Sequence, residues 1–239
     1  NLVIAGNDLP DLMYMQNRNT SNRFGQQGAL VNLLDHLDKA PNLAKWMEMY
    51  PDEAKAALAA DGSMYMFPNQ GFGETNRMVW MYRADIFEKH GLEPPRDYDE
   101  LYDVLKKLKE LYPDSYPFTT RFGQIPGEMM RNLTVNFGTY DTVYYDFENG
   151  RWKFGPVEDN YKALLAAWNK FYNEGLIPPD FLTIQTKQWQ DIVSNGQAFI
   201  TIDYISRIDF FNNAMREIDP SYNMQFMAPP AGIPGGKQL

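Results

Sequence analysis

The sequence contains no cysteine, and this absence excludes several kinds of chemistry. Disulfide bonds, thiolate catalysis and cysteine-based zinc sites cannot occur within this chain. Histidine is nearly absent too: the two residues, His36 and His90, have no ligand-like spacing, so we do not predict a histidine metal centre. No apolar run approaches the ~20 residues that cross a bilayer as a helix. Residues 1–6 lack the basic start and long apolar stretch of a signal peptide, as a mature or truncated secreted protein would.

Basic residues are also in deficit, because 22 Lys and Arg face 31 Asp and Glu and leave a net charge of −9. Nucleic-acid binding needs clustered cations that neutralise phosphates, so we do not expect a nucleic-acid partner. The same deficit disfavours docking on an anionic membrane surface.

What the chain does contain is apolar and aromatic surface. Its 239 residues suffice for one large or two small domains, and a hydrophobic content of 44% supports a substantial core. Aromatic residues make up 15%, with 15 Tyr, 15 Phe and 5 Trp. Two interpretations stay open: aromatic-rich packing, or a cleft lined with stacking surfaces as in sugar binders.

Strands and helices alternate along the chain, which predicts an α/β fold. Residues 61–112 show the clearest succession: a turn at 61–62, a strand ended by Pro68, a strand over 77–82, and helices near 85–90 and 97–112. Further on, Asn149-Gly150 between β-prone runs predicts a tight hairpin turn. Near the start, a strand is predicted over 12–15, and the polar stretch 16–27 is predicted to be irregular.

Several segments, taken in order, resemble the bacterial extracellular solute-binding proteins (family 1, the sugar and oligosaccharide type), which capture ligands for ABC importers. The segments are the small-residue, Asp, Leu-Pro-Asp turn at 5–11, the crossover pattern at 61–112, the helix and Glu-Gly-Leu-Ile turn at 168–177, the Gly-polar-Ala step at 195–198, and the Pro-Pro-x-Gly segment at 227–232. No single motif is diagnostic, but their order and spacing are specific. The resemblance implies a periplasmic-binding-protein-like type II fold, with two lobes and a cleft.

The resemblance also implies how the chain divides. Residues 1–67 correspond to part of the first lobe and 68–239 to most of the second, with the crossover near 68–76. The family's usual opening unit and its return crossing have no counterpart, so the chain is expected to be a fragment lacking N-terminal and C-terminal parts.

Candidate ligand-binding residues follow from the rule that ligands lie beyond the carboxyl ends of strands in α/β sheets. The candidates are Tyr14 and Gln16 in the first lobe; Asn69, Gln70, Phe72, Glu74 and Asn76 after Pro68; Arg121 and Phe122 after a strand at 116–120; Asp203, Tyr204 and Arg207 where a strand at 198–203 meets a helix; and Trp189. Family resemblance implies an aromatic platform near 121–124 and an aromatic ring near 203–204. The alternatives left open are solvent loops or turns, simple helix capping by Asp203, and burial of Trp189.

We therefore expect a non-catalytic solute-binding protein that delivers an oligosaccharide to the membrane permease of an ABC importer. A peptide or other non-sugar solute on the same fold is the alternative, and a carbohydrate-active enzyme using Glu74 and Asp203 is less favoured. Some relatives carry a calcium loop after the helix equivalent to 97–112, but here 112–117 offers only Asp114, so no metal or cofactor is expected. A monomer outside the cytoplasm is expected, tethered to the outer face of the membrane as a lipoprotein by an anchor not in this chain.

Overall fold

The structure, a computed structural model, describes residue 6 and residues 9–14, 18–68 and 77–233. Contacts divide the chain into two compact units, Asn1–Phe72 and Gly73–Leu239.

The first unit is helical where it is described. Its helices are α1 (Arg18–Gln26), α2 (Pro41–Met49) and α3 (Pro51–Ala57), with a 3-10 turn at Leu33–His36. Proline opens α2 and α3, where its missing N–H would have no partner in the helix anyway. Leu43, Ala57 and Met64 form a small buried cluster.

Three predictions for the first unit are wrong. Residues 63–68 form no strand, so the strand predicted to end at Pro68 is not observed. Residues 12–14 do not form a strand, and Met15 lies outside the described residues. The stretch predicted to be irregular contains α1, whose Gly25 packs against the ring of Tyr65 so closely that a Cβ would lie 2.1 Å from a ring carbon. This tertiary contact explains a helix that the polar sequence did not indicate.

The second unit is built on a four-stranded mixed sheet and a separate hairpin. In chain order the strands are β1 (Met78–Arg83), β2 (Phe118–Thr119), β3 (Val143–Asp146), β4 (Arg151–Phe154), β5 (Ile200–Tyr204) and β6 (Met224–Met227). The sheet order is β2-β5-β1-β6, and β3 pairs with β4. The helices are α4 (Ala84–His90), α5 (Tyr98–Leu111), α6 (Pro126–Thr134), α7 (Asp159–Asn173), α8 (Thr186–Ser194) and α9 (Ser206–Met215), with 3-10 turns at Val135–Phe137 and Gly155–Val157.

Helices cover both faces of this sheet. Trp80 belongs to one buried cluster, with residues of α5 and α7, whereas its neighbour Met81 belongs to another, with residues of α8 and α9. Successive side chains of a strand point to opposite faces, so both faces of the sheet are buried. This arrangement confirms the predicted α/β class.

Strand direction sets which loops share an edge of the sheet. β2 runs parallel to β5, and β1 runs antiparallel to both β5 and β6. The carboxyl ends of β2, β5 and β6 and the start of β1 therefore lie at one edge, here called the carboxyl edge. The opposite edge, where β1 ends at Arg83 and β6 begins at Met224, is called the amino edge.

Candidate functional site

A buried ion pair lies at the carboxyl edge between Arg121, which follows β2, and Asp203 of β5. Arg121 donates from Nε to Asp203 Oδ2 at 2.5 Å and from Nη2 to Oδ1 at 3.0 Å. Thr119 is level with Thr201 in the parallel register, so the residues two positions further on meet as well. Asp203 is fully buried and Arg121 is 6% exposed. A planar guanidinium fits a carboxylate with two parallel hydrogen bonds, which fixes both side chains.

The carboxylate of Asp203 has two more partners from its own segment. Its Oδ1 accepts a hydrogen bond from the Tyr204 amide at 2.8 Å and lies 3.4 Å from Nε of Arg207. Helix capping by Asp203, one of the readings left open by the sequence, is not observed: α9 starts at Ser206, and its N-cap residue Ile205 makes no side-chain cap. Asp203 therefore organises two arginines rather than a helix end.

Tyr204, the next residue of β5, links the cluster to helix α6. Its hydroxyl donates to Glu128 Oε2 at 2.6 Å, from the first turn of α6. Burial, followed by the hydrogen bond to Glu128, raises the pKa of Tyr204 to about 12, so the hydroxyl stays protonated near neutrality. The four charged groups, two arginines and two carboxylates, balance. Glu128 was not among the predicted residues. Its position in the first turn of the helix that follows the Arg121 loop could have indicated that it lies near the site.

The two predicted aromatic residues nearby lie under the cluster and not on its surface. Trp189 is fully buried, donates its indole N–H to Thr201 Oγ1 at 2.8 Å and packs against Phe211. Phe122 is 8% exposed and packs edge-on against Phe181. Neither ring is an exposed stacking surface, and burial of Trp189 is one of the alternatives that the sequence left open.

Trp189 nevertheless contacts the two arginines of the cluster from the buried side. The guanidinium carbons of Arg121 and Arg207 lie 5.7 Å and 5.8 Å from its ring centroid, within the range of a cation–π contact. On the outside, the ring of Phe210 is 43% exposed and lies 5.3 Å from the Arg207 guanidinium carbon. Phe210 was also missed by the sequence, since its outward position depends on which face of α9 is covered.

The remaining predicted contacts fall elsewhere. Gln16, Asn69, Gln70, Phe72, Glu74 and Asn76 lie outside the described residues. Tyr14 belongs to the first unit, where it is 85% exposed. The chain enters the second unit at the carboxyl edge, since the Ile205 amide donates to the Arg77 carbonyl at 2.8 Å. The assignment of ligand contacts to these residues stays a prediction.

The first unit has a cavity of its own, with a volume of about 380 Å³. It is lined by Lys39, Ala40, Pro41, Asn42, Leu43, Trp46, Phe67 and Pro68. Trp46 also packs against Tyr50, with ring centroids 5.6 Å apart. A tryptophan beside an amide and an ammonium group suits a polar solute, and none of these residues was predicted.

The described residues offer neither a metal-binding cluster nor a membrane-spanning helix. Residues 18–68 and 77–233, with the short stretch before them, contain no group of three or more His, Asp or Glu side chains that could hold a metal ion. Over the same part of the chain, no helix is long and apolar enough to cross a membrane.

The chain belongs to a family described as bacterial extracellular solute-binding protein, whose model matches residues 1–238. It is 26% identical over 233 residues to lipoprotein LipO of Bacillus subtilis, covering 92% of this chain and 44% of that protein. It is also 26% identical over 215 residues to the fructooligosaccharide ABC transporter substrate-binding protein FusA of Streptococcus pneumoniae, covering 82% of this chain and 39% of FusA.

A solved structure gives the same result for the fold. The alginate-binding protein AlgQ2, crystallised without calcium ion, superposes with a TM-score of 0.81 at 28% identity, covering 97% of this chain and 48% of AlgQ2. The chain spans about half the length of the curated relatives it matches. Family membership and the periplasmic-binding-protein-like fold predicted from the sequence are thereby confirmed.

Proposed function

We propose that this protein is the non-catalytic binding component of an oligosaccharide importer and that the cluster at the carboxyl edge contacts the sugar. The observation that carries the proposal is the charge-balanced group of Arg121, Asp203, Tyr204, Arg207 and Glu128 at that edge. It stands where ligands lie in α/β sheets.

The chemistry of the group suits a hydroxylated ring. Tyr204, Arg207 and Glu128 are partly exposed and offer both donors and acceptors to hydroxyl groups. Asp203 holds Arg121 and Arg207 in place, so little side-chain freedom is lost on binding. The exposed ring of Phe210 offers a flat face to the C–H groups of a sugar.

The relatives support the same ligand class. FusA carries fructooligosaccharide in its name, and AlgQ2 is named for alginate. On this basis the partner of the present protein is the permease of an ABC importer. The name of LipO supports attachment to the outer face of the membrane as a lipoprotein. We expect the protein to act as a monomer.

The alternatives make different demands on the same residues. A peptide or other non-sugar solute would use the fold without the hydroxyl-matched arrangement, and fold alone does not fix ligand chemistry. A glycoside hydrolase needs two carboxyls free to act across the scissile bond. Asp203 is fully buried and bound to Arg121 and Arg207, so this carboxylate is not free to act on a scissile bond, which favours binding over hydrolysis.

Calorimetric titration with kestose, an alginate oligosaccharide and a mixture of short peptides tests the proposal; kestose is the sugar bound in a FusA structure. We expect saturable binding of at least one saccharide without turnover. Arg207→Ala is expected to weaken it about 10- to 150-fold, because a hydrogen bond from a charged group contributes roughly 1.5–3 kcal/mol. Arg96→Ala is the matched control, since this arginine is 82% exposed and pairs with Glu100 on α5.

Three results decide the matter. Saccharide binding that Arg207→Ala weakens and Arg96→Ala does not supports the proposal. Binding of peptides in place of saccharides supports the non-sugar alternative, and release of shortened saccharides supports an enzyme.

A further inference from the structure

The hairpin of β3 and β4 exposes a set of large apolar side chains that the site above does not use. Pairing places Tyr145 opposite Trp152 and Val143 opposite Phe154, and all four are exposed on one face. Phe147, in the connecting turn, is 88% exposed, and Trp152 is 71% exposed. Large apolar side chains left in water forgo the free energy of burial, so a contiguous group of them is typical of a contact site.

The aromatic rings are held in a fixed arrangement. Tyr145 packs edge-on against Phe147 and Trp152, with centroid distances of 5.0 Å and 5.3 Å. The turn is tied by Asp146, whose carboxylate accepts hydrogen bonds from the amides of Glu148 and Asn149 at 3.2 Å and 3.1 Å. The rings are therefore positioned before any ligand arrives.

The other face of the hairpin is anchored to the domain. Tyr144 donates to Glu158 Oε2 at 2.9 Å, and Lys153 of β4 forms an ion pair with the same carboxylate. Thr139 donates to Glu158 as well, at 2.6 Å. The charged groups Lys153 and Glu158 are thus paired with each other on the face that contacts the domain. The face that carries Tyr145 and Trp152 remains exposed to solvent.

A cavity of about 570 Å³ lies beside the hairpin. Besides Tyr145 and Phe147, its lining includes three amides, Asn136, Asn149 and Asn160. Asn136 is 4% exposed, and neither its side-chain oxygen nor its nitrogen has a hydrogen-bond partner among the described residues. The buried Tyr98 hydroxyl interacts with this amide, but not at hydrogen-bond geometry. A buried amide whose nearest polar neighbour is outside hydrogen-bond geometry loses hydrogen-bond free energy that a ligand can restore.

We propose that this cavity is a second carbohydrate subsite, which binds one neutral sugar ring between the Tyr145 and Phe147 rings and the amide of Asn136. The ligand is neutral because the charged residues of the lining, Asp146, Glu148 and Lys153, already have partners, whereas the amide of Asn136 has no hydrogen bond among the described residues. An amide supplies both a donor and an acceptor to vicinal hydroxyls, and an aromatic ring packs on the apolar face of a sugar.

This subsite is separate from the cluster at the carboxyl edge. Glu128 and Asn136 are eight residues apart along α6 and the turn after it, which corresponds to roughly 12 Å of helix. One sugar ring therefore cannot contact both. The subsite rests on the proposed function for its ligand class, but it depends on different residues.

Amide-resolved NMR of the protein, titrated with kestose, separates the two sites. We expect saturable shifts both in residues 136–160 and around Arg207. Phe147→Ala is expected to weaken the response of 136–160 about tenfold, the equivalent of roughly 1.4 kcal/mol, and to leave the response around Arg207 unchanged. Phe226→Ala is the matched control, since this ring is 65% exposed on β6 and lies outside the cavity lining.

Each other outcome overturns the subsite. Shifts around Arg207 alone contradict it while the proposed function stands, and saccharide shifts at neither place contradict both. If residues 136–160 instead respond to protein concentration without sugar, and sedimentation shows self-association that Phe147→Ala abolishes, the aromatic face is a contact between copies of the chain.

Discussion

Two buried Arg–Asp pairs lie at opposite edges of the same sheet, and they differ in what surrounds them. At the amino edge, Arg83 donates to Asp85 at 2.8 Å and 2.5 Å, and the two residues are neighbours in sequence. At the carboxyl edge, Arg121 and Asp203 are 82 residues apart and are joined only by the register of β2 and β5. The same type of ion pair thus forms once between residues close in sequence and once between residues that only the pairing of two strands brings together.

The pair at the amino edge is closed. The Arg83 guanidinium carbon lies 3.7 Å from the centroid of the buried Tyr222 ring, and Asp85 also accepts from the Asn223 amide at 3.2 Å. Every partner is structural and joins the end of β1 to the start of β6. Burial raises the pKa of Tyr222 to about 12, while the nearby Arg83 opposes this increase.

The pair at the carboxyl edge is open by contrast. Asp203 also forms an ion pair with Arg207, which is partly exposed. The neighbouring Tyr204 donates a hydrogen bond to Glu128. Burial of an ion pair therefore does not by itself distinguish the structural pair at the amino edge from the pair that we propose to contact the ligand. What distinguishes them is whether the chain of partners ends inside the protein or at its surface.

The largest effect is expected from Asp203→Ala. Removal of this carboxylate leaves Arg121 buried without its counter-ion, which destabilises a protein by about 3–5 kcal/mol. The free energy of unfolding of the second unit, measured by urea denaturation, should fall by this amount, and saccharide affinity should fall with it.

A double variant sharpens this prediction. Arg121→Met with Asp203→Leu replaces the pair by apolar groups of similar size, which is often nearly neutral. Its stability should exceed that of Asp203→Ala while saccharide binding stays lost. Equal instability of the two variants would show that the pair is needed for folding itself.

Arg83→Met is expected to have the next largest effect and to act on stability alone. It leaves Asp85 unpaired and removes the contact with Tyr222, at a cost of about 3 kcal/mol, the lower end of the range because the Asp85 side chain is 11% exposed. Calorimetric affinity for saccharides should equal that of the unaltered protein. If Arg83→Met instead loses as much saccharide affinity as Asp203→Ala, the assignment of a purely structural role to the amino-edge pair is wrong.

The smallest effect is expected from Tyr204→Phe, which removes one hydrogen bond to a carboxylate, at a cost of roughly 1.5 kcal/mol, the lower end of the range because both residues are partly exposed. Because the pKa of Tyr204 is raised from 10.0 to about 12 in the folded state, its contribution to stability is complete below pH 10 and is lost as the pH rises through about 12. The unfolding free energy of the unaltered protein should therefore fall more steeply over this interval than that of Tyr204→Phe. Parallel pH profiles from urea denaturation would contradict the assignment, and the comparison cancels the contributions of Tyr98 and Tyr222.

Local signals in the sequence gave several elements at or near their observed bounds. α5, predicted over 97–112, spans Tyr98–Leu111 and begins after its N-cap Asp97, which accepts from the Asp99 and Glu100 amides. Gly91 ends α4 in the left-handed conformation, with φ of 64°. The hairpin was also anticipated, but it closes with the four-residue turn 147–150 and not a two-residue turn, because Asp146 holds the turn amides.

The sequence by itself determined the α/β class, the family and the position of Arg121, Asp203, Tyr204 and Arg207 at strand ends, because each of these depends on neighbours along the chain. Only the tertiary structure decided that Arg121 and Asp203 meet, since that requires the register of two distant strands. It also decided that Trp189 is buried and that Glu128 faces Tyr204, because the face a helix turns to the core depends on what packs against it. Arg121 and Asp203 are therefore recognisable in the sequence only as separate residues. They form the ion pair of the candidate site only when the sheet brings β2 and β5 together.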